Sequence, residues 1–315
     1  MLQTAYTKIT GHYQSSCGKA DIAYYVYVPK NEPKAIVQLS HGMCEYVERY
    51  EHFAEFLARH DILLCGNDHI GHGSSVPSDA DFGYFYSNNG WQSMISDLHT
   101  LTGIVRKKYP SLPFFLFGHS MGSFLARAYI TKYSRELDGA IICGTGSGVP
   151  FTSAQLVACE MIEKAYGDRH RSEKLNKIAF GAYTAMIKDA RTEMDWLSRD
   201  NEVIMKYIMD KRCDFIFTIN GFNNLARMMA YVNDDRWYES VRKTLPILMI
   251  SGKADPVGNY GRGVKKVYSK LCSEGCDVRM KLYDCARHEL VNEINKDEVF
   301  RDVISFISET IAEFF

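Results

Sequence analysis

The chain carries almost no net charge: 37 Lys and Arg stand against 38 Asp and Glu, a formal −1 at pH 7. That balance excludes the basic footprint of a nucleic-acid binder and the acidic tail of a charged interaction segment. No run of 18 or more apolar residues occurs, so no membrane-spanning helix is expected. The opening residues, MLQTAYTKITGHYQSS, lack the charged and then apolar regions of a secretory signal. No CxxC pair stands among the nine scattered cysteines, and an odd number leaves at least one thiol free or paired with another chain. That usage fits a reducing compartment, and the cytoplasm is the expected location. Repeats and low-complexity stretches are missing too. What remains is an ordinary globular composition, 46% apolar and 24% charged over 315 residues, enough to bury a sizeable core.

Short apolar runs alternate with helical spacing. Strand composition is read at 22–28, 35–40, 62–65, 114–117, 139–143, 246–250 and 278–283, and helical periodicity at 50–60, 91–109, 124–133 and 299–314. Alternation of this kind predicts an α/β fold with a mostly parallel sheet covered on both faces. The rhythm breaks between about 147 and 237, where only helical periodicity is found and seven of the 13 methionines lie (Met161, Met186, Met194, Met205, Met209, Met228, Met229). The expected division is a core of 1–146 and 241–315 with a helical cap, 147–240, over its site. Methionine adapts to varied flexible ligands, so collectively these residues favour an apolar pocket roof.

Gly118-His119-Ser120-Met121-Gly122 matches G-x-S-x-G and follows the apolar run FFLF while preceding a helical pattern. That is the strand-turn-helix context of a nucleophile elbow, in which a strained serine is held at a helix N-terminus. Serine needs a base in contact. Downstream of Ser120 only His170 and His288 remain; His170 sits in the polar stretch Gly-Asp-Arg-His-Arg, whereas His288 follows a strand. His288 is therefore the expected base. Asp255, directly after the 246–250 strand and before Pro256, is the expected acid that orients it, with Asp284 and Glu289 as rivals. Acyl transfer also needs two backbone N–H donors for the developing oxyanion, and Met121 and Met43 are the candidates. His41, beside that loop, is read as a brace. Asn67 to Ser75 (NDHIGHGSS) superficially resembles a metal or phosphate loop. It has no third strong ligand and no GK[ST] ending, so it is read as a structural loop. Cys272 and Cys276, four apart, could share a helix face but have no partner ligands.

Taken together, His41-Gly42-Met43, Asp68-His69-x-Gly71-His72-Gly73-x-Ser75, the elbow, Gly252-x-x-Asp255-Pro256-Val257 and Arg287-His288-Glu289 resemble the monoacylglycerol lipase and lysophospholipase branch of the α/β-hydrolases. Residues 193–200 (EMDWLSRD) are similar to cap segments of bacterial lysophospholipases. The resemblance implies the α/β-hydrolase fold and a cofactor-free, cytosolic or membrane-peripheral hydrolase of single-chain acyl esters. It also implies a mobile lipophilic cap, through which transient membrane contact would occur. The family's oxyanion loop often continues His-Gly with small residues; here Met43 and Cys44 follow, which implies an acyl pocket of different shape. A thioesterase or amidase using the same triad, or a silent ligand-binding protein on the same fold, are the alternatives.

Overall fold

Eight strands form one sheet in the order β1-β2-β4-β3-β5-β6-β7-β8. They are β1 (Tyr6–Gln14), β2 (Asp21–Pro29), β3 (Ala35–Ser40), β4 (Ile62–Asn67), β5 (Phe114–His119), β6 (Gly139–Cys143), β7 (Ile247–Gly252) and β8 (Val278–Tyr283). The computed structural model from which this is read describes residues 4–148, 153–188 and 190–314; residues 149–152 and 189 of the predicted cap lie outside the described residues. From β4 to β8 every neighbouring pair is parallel, while β1 and β2 join antiparallel at one edge. β1 was not read from the sequence because most of its residues are exposed, so its edge position leaves no apolar alternation to see.

The central strands are apolar without alternation because both faces are covered. Residues of one parity, such as Ile36, Leu116, Ile142 and Met249, enter one core cluster. Their neighbours Val37, Phe117, Ile141 and Ile250 enter the other. Helices α1 (Glu51–Ala58) and α10 (Lys296–Phe314) cover the second face through Phe53, Leu57, Phe300 and Val303. Helices α2 (Gly90–Lys108), α3 (Met121–Tyr133) and α9 (Arg262–Ser273) cover the first through Leu98, Leu125, Tyr129, Val264 and Val267. The α9 stripe Val264, Val267, Leu271 has helical spacing, and it went unread. Cys272 lies on α9 and Cys276 beyond its end, so the two do not share a helix face.

Between β6 and β7 run α4 (Ser153–Tyr166), α5 (Glu173–Phe180), α6 (Asn201–Met209), α7 (Ile219–Asn233) and α8 (Asp235–Ser240). Among the described residues of this insert the only β pairing is an isolated Arg171–Thr218 bridge. Because β3, β5, β6, β7 and β8 are parallel neighbours, their C-terminal ends point the same way. Ser40 registers with Gly118, and His119 with Cys143. The loops carrying Met43, Ser120, Asp255 and His288 therefore emerge at one sheet edge, where ligands bind in open α/β sheets.

Candidate active site

Ser120 stands between β5 and α3 with φ 53° and ψ −121°. A non-glycine residue there is strained, and the surroundings hold it: its N–H donates to Cys143 O at 3.0 Å, and Ser123 Oγ donates to its carbonyl at 2.6 Å. The flanking glycines are required by close approach. A Cβ on Gly122 would run into the carbonyl oxygens of Ser40 and His41, and one on Gly118 would lie 2.6 Å from Ala126 Cβ. The Ser120 turn thus packs directly on the end of β3, which leads into the loop of Met43.

Asp255 and His288 meet. His288 Nδ1 lies 3.0 Å from Asp255 Oδ2, with both side chains buried. Asp255 Oδ1 accepts from Val257 N–H at 2.8 Å and Oδ2 also from Ser251 Oγ at 3.3 Å, so the carboxylate cannot rotate freely. An ionised carboxylate only accepts, so in this contact Nδ1 is the donor, which leaves Nε2 the acceptor of the neutral ring. Nε2 is buried without a hydrogen-bond partner among the described residues. His288 and Ser120 line one cavity of about 1030 Å³. The rivals are engaged elsewhere: Asp284 pairs with Lys253 at the surface, and Glu289 with Arg49. His170 stacks on Tyr166 in the insert.

Met43 and Met121 line the same cavity. Met121 is the first residue of α3, where no carbonyl one turn back can accept its N–H. The loop of Met43 lies against the elbow: a Cβ on Gly42 would come 3.0 Å from Ser120 Cβ and 3.3 Å from His119 Nδ1. Cys44, next in the loop, takes φ 54° and donates its thiol to Phe215 O of the insert at 3.3 Å.

Beneath these loops lies a buried charge network that sequence reading missed. Glu45 Oε1 accepts from Gly42 N–H, from Tyr50 OH at 2.9 Å and from His119 Nδ1 at 2.8 Å. Its Oε2 accepts from Arg49 at 3.0 Å. Arg49 in turn makes two 2.8 Å bonds to the Glu289 carboxylate. Burial alone would raise the Glu45 pKa, but the charge of His119, its hydrogen bond and Arg49 bring it down to about 2. Burial likewise opposes the His119 charge, and Glu45 overrides it and raises that pKa. Both His119 nitrogens face oxygens, Nε2 lying 3.4 Å from His288 O. The signal was present in the sequence: one charged or titratable residue adjoins each motif, Glu45 the His41-Gly42-Met43 loop, His119 Ser120 and Glu289 His288.

The Asn67–Ser75 loop is braced. Asp68 accepts from Val47 N–H and Ser74 N–H, at 2.9 and 2.7 Å, and burial lifts its pKa to about 6. His41 accepts from His69 N–H at 2.9 Å and bonds Gly42 O at 2.8 Å. His69 and His72 pack beside His41, and burial pushes their pKa values down to about 3 and about 4. Among the described residues no group of three or more His, Cys, Asp or Glu is placed to hold a metal ion.

The insert walls the cavity with Phe180, Trp196, Leu225 and Met229, while Arg171, Lys177, Lys211 and Glu193 also contribute. Of its seven methionines only Met194 and Met229 line the cavity; Met161, Met186, Met205 and Met209 are exposed, and Met228 is in the core. No helix among the described residues is long and apolar enough to cross a membrane.

A family model described as serine aminopeptidase, S33, matches residues 31–295. The chain is 28% identical over 300 residues to a monoacylglycerol lipase of Mycolicibacterium smegmatis, covering 94% of this chain and 96% of that one. It is 26% identical to a monoglyceride lipase of Rattus norvegicus, with 90% and 86% covered. A solved thermostable carboxyl esterase from Bacillus coagulans superposes with a TM-score of 0.90 at 32% identity, covering 98% of this chain and 100% of that one. A monoglyceride lipase of Saccharomyces cerevisiae, at 17% identity and a TM-score of 0.75, shares the fold. The chain belongs to the serine aminopeptidase S33 family of α/β-hydrolases and is an ester-hydrolysing enzyme of that fold.

Proposed function

We propose that the chain hydrolyses single-chain acyl esters, of the monoacylglycerol or lysophospholipid type, through a Ser120–His288–Asp255 triad. The observation that carries this reading is the His288 imidazole: Asp255 holds Nδ1, while Nε2 is left unpartnered in a buried position and His288 shares a cavity with Ser120. In the proposed cycle His288 takes the Ser120 proton as Oγ attacks the ester carbonyl. The Met43 and Met121 N–H groups receive the oxyanion, and the alcohol leaves with the proton from His288. Water then repeats the sequence on the acyl-enzyme and frees the acid. The insert, residues 147–240, acts as the cap, and the chain's own residues supply each step of this cycle. A glycerol ester is favoured because relatives covering nearly the whole chain are named for that substrate class. Since the family description names aminopeptidases, amides are the second substrate class to test.

A fluorophosphonate probe is expected to label the wild type and not Ser120→Ala. Matched monoacylglycerol, lysophospholipid, thioester and amide substrates then rank the chemistry. A wild type that resists the probe and hydrolyses no p-nitrophenyl ester would overturn the reading.

A further inference from the structure

The EMDWLSRD segment of the insert takes no part in the cycle above, yet it is laced to the loop that carries His288. The backbone N–H of His288 donates to Trp196 O at 3.3 Å, and that of Glu289 to Leu197 O at 2.7 Å. Arg287 Nη1 donates to Asp195 O and Ser198 O, at 2.6 and 2.8 Å. Ser198 Oγ reaches Asn292 O at 3.0 Å, and Arg199 Nε bonds the buried Glu293 carboxylate at 2.9 Å. The side chain of Trp196 adds a further contact: its ring centroid lies 5.1 Å from the His288 imidazole, at 41°. The His119 ring lies 4.9 Å from the same imidazole, at 45°. Tyr183 packs edge-on against Trp196 at 4.9 Å, which fixes the indole.

A single hydrogen bond from Nδ1 to Asp255 fixes one point of the imidazole and leaves it free to pivot about that contact. Packing against two rings removes the pivot, and only one of those rings belongs to the core. We infer that the general base has a divided mount, Asp255 from the core and residues 195–199 from the insert, with Trp196 as a positioning residue for His288. The inference rests on the triad reading above. It makes part of the insert a fixed component of the catalytic apparatus, since displacing residues 195–199 would unseat the base loop.

Two variants test this. Trp196→Ala removes the ring beside the imidazole, and Arg287→Lys removes the fork that holds the Asp195 and Ser198 carbonyls at a position outside the cavity lining. Both are assayed with p-nitrophenyl acetate and with a small fluorophosphonate, whose bulk does not depend on the acyl pocket. Both are expected to lose roughly tenfold to a hundredfold in kcat and in the inactivation rate constant, with KM within about twofold. Trp196→Phe is expected to recover most of the loss. Circular dichroism checks folding, and Arg287→Lys carries the test should Trp196→Ala fail to fold. If KM alone rises while kcat and the inactivation rate stay at the wild-type level, the segment is only a pocket wall and the inference is overturned. An active wild type beside unchanged variants overturns it alone; an inert wild type overturns the triad reading and this inference together.

Discussion

Replacing Glu45 by Gln removes one charge from the buried network while keeping its shape, and its effect can be worked from the contacts. The Glu45 carboxylate is brought from 4.5 to about 2, with His119, Arg49 and the Gly42 N–H overcoming burial. A depressed carboxylate pKa contributes stability that is present above 4.5 and lost as pH falls toward 2. A difference of that size corresponds to about 3 kcal/mol. His119 has the opposite sign: its pKa is raised, so its contribution is full below 6.5 and fades as pH climbs through the raised value. The pair is therefore worth most between about pH 4.5 and 6.5, the window bounded by the two unperturbed values. In Glu45→Gln the variant is expected to melt roughly 5 °C lower within that window. The gap to wild type should narrow below pH 4 as Glu45 protonates. Glu45 also holds the Gly42 N–H, and with it the orientation of the peptide leading to Met43. Loss of an oxyanion donor costs about 10²–10³ in kcat, so misaligning one is expected to cost about tenfold or more with little change in KM. Differential scanning fluorimetry from pH 3 to 9, with kcat and KM on a p-nitrophenyl ester, reads both effects. A Glu45→Gln protein with wild-type melting and wild-type kcat across that range would refute the account.

Asp255→Asn presents an amide N–H to His288 Nδ1, favours the wrong tautomer and is expected to lower kcat by about 10⁴ while fluorimetry shows a folded protein. Gly122→Ala drives a Cβ into the Ser40 and His41 carbonyls and should abolish probe labelling and lower the melting temperature; wild-type labelling would show that β3 and the elbow can separate. His72 is pushed down to about 4 by burial, so its neutral form contributes stability above 6.5 that is lost as pH falls toward 4. His72→Leu is expected to lose about 1 kcal/mol at pH 8, through the missing bond to Ile70 O. It should also flatten the acid side of the stability curve by up to about 1.4 kcal/mol per pH unit, which melting curves at pH 4.5–7 would show.

The central strands and the helices α1, α2, α3 and α10 were legible because each is either a continuous apolar run or a 3.6-residue stripe. β1 was not, since an exposed edge strand needs only its ladder to β2 and imposes no pattern on its side chains. Ser120, Asp255 and His288 could be nominated because each directly follows a strand and because the chain order of the three is fixed in this fold. Asp255 and His288, on loops that follow the parallel neighbours β7 and β8, come within 3.0 Å of each other. The network of Glu45, Arg49, His119 and Glu289 was illegible for a different reason. Its members come from three segments up to 244 residues apart, Glu45 to Glu289, and charge compensation among distant residues leaves no periodicity. Glu289 was weighed as a rival acid because sequence adjacency to His288 is visible, whereas its partner Arg49 is not.

Buried histidines at this edge fall into two electrostatic classes, and the division follows from where carboxylates lie. Among the described residues no carboxylate hydrogen-bonds to His41, His69 or His72, so burial, with the neighbouring rings for His41 and His69, pushes their pKa values down, and they bond backbone and Ser40. His119 is equally buried but touches Glu45, which raises its pKa against the effect of burial. The His119 ring lies 4.9 Å from that of His288, so a protonated and uncompensated His119 would oppose a second positive ring there. Glu45 cancels it, and Glu289 cancels Arg49 in the same way. Asp255 is the carboxylate in contact with the His288 imidazole. The network ties the loop of Met43, the Ser120 turn and the loop of His288 into one unit, and in the proposed cycle it leaves Asp255 free to stabilise the imidazolium. Removing any one member breaks both, which is why a single neutral substitution such as Glu45→Gln should reach stability and kcat together.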